Sequence, residues 1–139
     1  MKRVRAFNAI IHKGKIAMIY NIEPERKYWT LPGGGVENNE NLEETAIREA
    51  YEEANLNIRI IRYLYKNEYN NGIEHCFLSE PINPEKIKTG YDPEFSENEQ
   101  IIIKAEWRDI IEVKNDIQVS LVLKNMTKEE LDRYKIYIF

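Results

Sequence analysis

The chain has 139 residues, 42% of them hydrophobic and 32% charged, a balance that reads as one globular domain over residues 1–139 and excludes a disordered chain. Its net charge of −4 argues against a nucleic-acid polymer as partner, which calls for a basic face, and leaves room for a small phosphorylated ligand whose charge a metal ion balances. The single cysteine, Cys76, precludes an internal disulfide. The basic start Lys2-Arg3-Val4-Arg5 leads into no long apolar run, so neither a signal segment nor a membrane partner is expected and the expected compartment is cytoplasmic.

Val4 to Ile11 alternates loosely and then turns apolar, which predicts a strand. Lys13-Gly14 reads as a turn and Ile16 to Tyr20 as the returning strand. Asn21 to Lys27 is polar and reads as a loop. Tyr28 to Leu31 fits a short strand, ended by Pro32, which lacks a backbone donor. Gly33-Gly34-Gly35 then leads through Val36-Glu37-Asn38-Asn39-Glu40 to a helix that Asn41 caps, with Glu44 three residues on at the capping-box spacing. Leu42, Ala46, Ala50 and Ala54 recur at steps of four and give this helix an apolar stripe whose alanines allow close approach to a sheet. Leu56 to Tyr65 is predicted as a strand, Asn70-Asn71-Gly72 as a turn and Ile73 to Ser79 as the next strand. Glu80 to Gln100 holds Pro81, Pro84, Gly90 and Pro93 and reads mostly as a loop, and Ile101 to Trp107 as a strand. Ile117 to Met126 fits strand or helix and is assigned as helix. Thr127-Lys128-Glu129-Glu130 repeats the capping-box spacing and starts a last short helix or turn. Strands interleaved with an early and a late helix imply an α/β (α+β) sandwich.

Seven carboxylates fall in one stretch, at Glu37, Glu40, Glu43, Glu44, Glu49, Glu52 and Glu53, with Arg48 as the one basic residue among them. A solvated helix usually interleaves lysines, because each like-charge pair at i,i+4 costs about 0.2–0.5 kcal/mol. Glu49, Glu52 and Glu53 fall within an arc of about 100° on the predicted helix, at the border of its apolar stripe. They also lie in its C-terminal half, where the helix dipole disfavours negative charge. Arg48 can partner Glu52 at i+4, but one arginine does not balance three glutamates. An oxygen-ligated divalent cation such as Mg²⁺, Mn²⁺ or Ca²⁺ explains the set better than zinc does. The three glycines let the backbone approach a ligand, and a carbonyl from that loop can join the carboxylates. Phosphate-loop and dinucleotide-loop patterns both fail, for want of Gly-Lys-Ser/Thr and of a third glycine at Asn38.

The spacing from Gly34 to Leu56 resembles the Nudix box, G-x5-E-x7-R-E-U-x-E-E-x-G-U with U a bulky aliphatic residue. Glu40, Arg48-Glu49 and Glu52-Glu53 fill every charged position. Two positions depart from the pattern: Ala50 is small, and Asn55 stands where glycine is usual, although asparagine also tolerates the left-handed backbone that ends a helix. Trp29-Thr30-Leu31-Pro32-Gly33 is similar to the family's approach to its box. The resemblance implies a Nudix-type α/β/α sandwich around a mixed β-sheet. It implies Mg²⁺, with Mn²⁺ as substitute, held by Glu49, Glu52 and Glu53, with a carbonyl of Gly33 or Gly34 joining them. It makes Arg48 the residue that orients a glutamate and Glu40 its helper, and it leaves the general base open between a box glutamate and a later loop, here Glu94 or Glu97. The implied reaction is hydrolysis of a diphosphate in a small nucleotide substrate: an ordinary or oxidised nucleoside triphosphate, an ADP-ribose-like nucleotide sugar or a dinucleoside polyphosphate. A homodimer is compatible with the resemblance. The rival readings are a nucleotide-sensing module that does not cut and an acidic docking domain.

Other residues carry plainer expectations. Cys76 reads as a buried packing residue and His75 as its neighbour on the opposite strand face. His12 is expected at the surface. Tyr28 and Trp29 suit either stacking on a base or packing under the glycine loop. Arg26 and Lys27 suit either steering of a phosphate or solvation.

Overall fold

The computed structural model describes residues 3–88 and 102–138. Within them the order is β1 (Arg3–His12), β2 (Lys15–Ile22), β3 (Lys27–Thr30), β4 (Gly33–Gly35), α1 (Leu42–Ala54), β5 (Ile58–Tyr69), β6 (Gly72–Pro81), β7 (Ile102–Asp109), α2 (Ile117–Asn125) and α3 (Lys128–Arg133). A 3₁₀ turn, Pro84–Lys86, follows β6. The strands run β3-β2-β1-β6-β5, with β4 on β1 and β7 on β2. The β1–β6 pair is parallel and the other pairs are antiparallel, so the sheet is mixed.

Alternation along β1 divides the core into two layers. Phe7, Ala9 and Ile11 face one side, in a cluster with Val119 and Val122 of α2. Ala6 and Ile10 face the other, against Ala46, Ala50 and Ala54 of α1. The three alanines are fully buried, as their stripe predicts. Asn8 is also fully buried. Its amide donates to the Ala46 carbonyl at 2.7 Å and accepts from the Ser79 hydroxyl at 3.2 Å. Burial of this polar group is therefore compensated, and the bond fixes α1 against the sheet.

The glycine run, which reads as a loop in the sequence, is a strand in the fold: Gly33, Gly34 and Gly35 pair with Phe7, Ala6 and Arg5. Helix α1 begins as its capping signal predicts, with reciprocal bonds between Asn41 and Glu44. It ends at Asn55 in the left-handed conformation (φ 57°, ψ 30°), whose N–H reaches back to the Ala50 and Tyr51 carbonyls. Replacing Asn55 by Ala is expected to cost about 1–2 kcal/mol, because a side chain without asparagine's local hydrogen bonding fits this backbone poorly. Chemical denaturation compared with Asn55→Gly measures it, since the glycine variant meets no such penalty. Helices α2 and α3 are capped by Asp116 and Thr127. Among the described residues no helix is long and apolar enough to cross a membrane.

Candidate active site

Strand β4 and helix α1 bring the glycines and the glutamates together. β4 lies along the first half of β1, and the Asn8 bond holds α1 over the same strand. Arg48 sits between them. Its guanidinium forks onto Glu40, with Nε to Oε2 at 2.6 Å and Nη2 to Oε1 at 3.0 Å. Such paired, charge-assisted bonds are the strong kind. Nη1 reaches Glu49 at 2.9 Å and Glu52 at 3.1 Å, while Nη2 also donates to the Gly35 carbonyl at 3.1 Å. Glu37 lies 3.6 Å away.

Glu40 accepts further bonds from the Thr45 hydroxyl (2.9 Å) and the Glu37 N–H (3.0 Å). The guanidinium, above all, holds the Glu40 carboxyl at a pKa of about 2, far below its usual 4.5, and Glu40 in turn raises that of Arg48. Arg48 and Glu40 therefore stay ionised throughout the neutral range. The sign follows from the direction of the shift: Glu40 stabilises the fold above its ordinary pKa and loses that contribution as pH falls towards 2.

Glu53 is held differently. Its Oε1 accepts the Gly33 N–H at 2.6 Å. Glu49 packs on the next glycine: a Cβ added at Gly34 would lie 2.5 Å from Glu49 Oε1. Both carboxylates thus rest directly on the β4 backbone. Among the described residues, no three acidic, His or Cys side chains converge into a preformed metal cage, and Arg48 draws Glu40, Glu49 and Glu52 around itself. The donor set nevertheless fits a divalent cation. Its atoms are carboxylate and carbonyl oxygens, which suit a hard ion, and Gly34 has no side chain to separate loop from helix. Gly33 and Gly34, Glu40, Arg48, Glu49, Glu52 and Glu53 are thus brought into one site. Glu94 and Glu97 lie outside the described residues.

The sequence does not single out several residues that build this site. Thr45 is buried beside Glu40, the Gly35 carbonyl binds Arg48, and Gln118 of α2 accepts the Leu31 N–H at 2.9 Å just ahead of the glycines. Each depends on a tertiary contact that leaves no local spacing signal.

Trp29 pairs across the sheet with Tyr20, which pairs in turn with Lys104. The two rings are 4.9 Å apart. The Arg108 guanidinium stands 4.3 Å from the Trp29 ring centroid, and the Lys104 ammonium 5.5 Å from the same ring. Tyr28, the neighbour of Trp29 in the chain, points to the other face. There its hydroxyl donates to Glu23 at 2.6 Å, its ring lies beneath Arg26, and Arg26 itself pairs with Glu23 at 2.9 Å. Tyr28 and Arg26 are therefore committed to one another, and the partner of Trp29 is Tyr20. Cys76 is buried in the core, where desolvation pushes its thiol up to about 12. His75 faces away from it and bonds the Tyr63 hydroxyl at 2.6 Å. His12 is half-buried rather than exposed, with its ring 5.9 Å from that of Trp107.

The fold is shared with solved structures. A NUDIX hydrolase from Nitrosomonas europaea superposes with a TM-score of 0.72 at 22% identity, over 96% of this chain and 73% of its own. An Ap4A hydrolase from C. elegans gives 0.66 at 20% identity, over 88% of this chain and 93% of its own. An ADP-ribose pyrophosphatase from Streptococcus suis gives 0.63 at 16% identity, over 89% and 91%. At these identities the likeness speaks to fold. The family itself is settled by the match of residues 2–129 to the NUDIX domain: the chain belongs to the Nudix hydrolases, enzymes that hydrolyse pyrophosphate linkages.

Proposed function

We propose that this enzyme cleaves the diphosphate of a nucleoside diphosphate joined to a second moiety, using Mg²⁺, with Mn²⁺ as substitute. Nudix hydrolases generally use divalent metals. The observation that carries the reading is the placement of Glu49 and Glu53 directly against Gly34 and Gly33. That contact sets carboxylate oxygens beside the loop backbone, where a diphosphate and its counter-ion need them. Glu49, Glu52 and Glu53 would hold the cation, with a carbonyl of Gly33 or Gly34. When bound there, such a cation would supply a lowered pKa for water and a counter-charge for the phosphates. Water attacks one phosphorus as a carboxylate takes its proton, and the bond from that phosphorus to the bridging oxygen breaks, so two phosphate-bearing products leave. Arg48 and Glu40 act as positioning residues: their fork holds the guanidinium still while it orients Glu49 and Glu52. The nucleotide part of the reading draws on Tyr20 and Trp29, which offer aromatic surface to a base, with Lys104 and Arg108 as cations beside it.

The test is release of phosphate-bearing products from nucleoside triphosphates, nucleotide sugars and dinucleoside polyphosphates, with Mg²⁺ and again with a chelator. Cleavage that the chelator abolishes is the expected result. Binding without cleavage in Mg²⁺ or Mn²⁺ across the panel would replace this reading with a nucleotide-sensing module.

A further inference from the structure

Four non-glycine residues among those described have left-handed backbone: Lys13 (φ 49°), Asn39 (φ 69°), Asn55 (φ 57°) and Lys135 (φ 59°). Asparagine tolerates this conformation, but lysine has no local hydrogen bond to offset its cost. Lys13 and Gly14 (φ 77°) form a two-residue hairpin turn between the paired residues His12 and Lys15. Positive φ at both positions makes it the type I′ turn, which favours Asn, Asp or Gly at the first. Lys135 follows α3. Its N–H bonds the Asp132 carbonyl at 3.1 Å, and the Ile136 N–H bonds that of Leu131 at 2.8 Å. This is the Schellman ending, which favours Gly or Asn at that position. Two unrelated local motifs thus carry lysine where the backbone prefers another residue.

The two lysines meet at one place. The Lys135 carbonyl lies 3.3 Å from the Cβ position of Gly14, and both lysines line a cavity of about 230 Å³ together with His12, Arg133, Glu80 and Tyr134. Glu80 is already engaged, accepting from the Tyr134 hydroxyl at 2.7 Å and from Arg59 at 2.9 Å. In a chain of net charge −4, the lining of this cavity therefore includes three basic residues, all exposed, and a histidine against one paired carboxylate. It is also remote from the glutamates. Gly34 pairs with Ala6, whereas His12 lies six residues further along β1, about 20 Å away at strand rise. Strain retained at two positions around one basic cavity points to a use for it.

We propose that this cavity is a second anion site, which takes a phosphoryl group from free phosphate, pyrophosphate or a nucleoside monophosphate. Tyr134, the tyrosine in the lining, is 6% exposed, so its ring is taken up by packing and the basic residues carry recognition of the phosphate. The inference does not depend on the proposed hydrolysis.

The test is a titration with inorganic phosphate, pyrophosphate and AMP in a chelator at constant ionic strength, followed by the backbone amide shifts of Gly14 and Lys135. Saturable shifts are expected, with the order of affinities identifying the preferred source. The variant Lys13→Asn/Lys135→Asn is expected to bind at least tenfold more weakly, to melt several degrees higher and to keep wild-type turnover. Shifts that chloride reproduces, or that never saturate, would overturn the proposal. So would a double variant that gains stability yet keeps wild-type affinity, since the lysines would then be incidental to the cavity. Failure of turnover in the unmodified enzyme bears only on the hydrolase reading and leaves this titration unaffected.

Discussion

Replacing Glu53 by Gln is expected to lower kcat by on the order of 10²–10³-fold, the loss typical when a preorganised electrostatic group is removed from a reacting centre. The fold should be almost untouched. Glu53 accepts the Gly33 N–H through one oxygen at 2.6 Å, and a glutamine of the same shape offers a carbonyl oxygen in that place. What it lacks is the charge, so a charge-dependent role at the phosphates is isolated from a structural one. The control is Glu43→Gln in the first turn of the same helix, where the side chain is exposed and no change in kcat is expected. Turnover across a Mg²⁺ titration, with a thermal melt of each variant, is the measurement. Wild-type kcat in the Glu53 variant at all Mg²⁺ concentrations would remove Glu53 from the set of ligands and bases. A large fall in Tm would instead mark it as a strut for the glycine strand.

Helix α1 and its charge pattern are legible in the sequence because each depends on neighbours within one or two turns. Asn41 and Glu44 satisfy each other's backbone, and the alanine stripe fixes which side is buried. Strand β4 is not legible in this way. Three glycines have no side chains to alternate, and their strand character comes from pairing with Arg5, Ala6 and Phe7 about thirty residues earlier. Tyr63 and Tyr65 show a second limit. Two residues apart, they should share a face, yet Tyr63 is 41% exposed and Tyr65 is 6% exposed. The register of β5 against β6 shifts between them, and such a bulge turns the following side chain to the opposite face. Trp29 is a third case. Its stacking partner is a cross-strand neighbour nine positions back rather than Tyr28 beside it, because successive residues on a strand face opposite ways. The charged core of the site was thus local information, while its supports (Thr45, Gln118 and the Gly35 carbonyl) are tertiary.

The same tertiary contacts separate two adjacent glycines by consequence. A methyl group at Gly33 would run into the Phe7 ring and lie 2.5 Å from the Ala6 carbonyl. Backbone and buried ring cannot yield cheaply, so Gly33→Ala is expected to destabilise the protein by about 1–3 kcal/mol, the usual cost of overpacking. At Gly34 the methyl would instead meet Glu49 Oε1 at 2.5 Å, the end of a flexible side chain. Glu49 can swing aside at little cost in stability, but it then leaves the glycine strand and its bond to Arg48 at 2.9 Å. Displacing a reacting or metal-holding group by about 1 Å can cost on the order of 10²-fold in rate. Gly34→Ala is therefore expected to melt close to the wild type and turn over at least tenfold more slowly, whereas Gly33→Ala melts early. Paired thermal melts and steady-state kinetics on the two variants decide the matter. Equal turnover in Gly34→Ala and the wild type would mean that Glu49 works from another position than the one against β4, and the proposed ligand set would lose its first member.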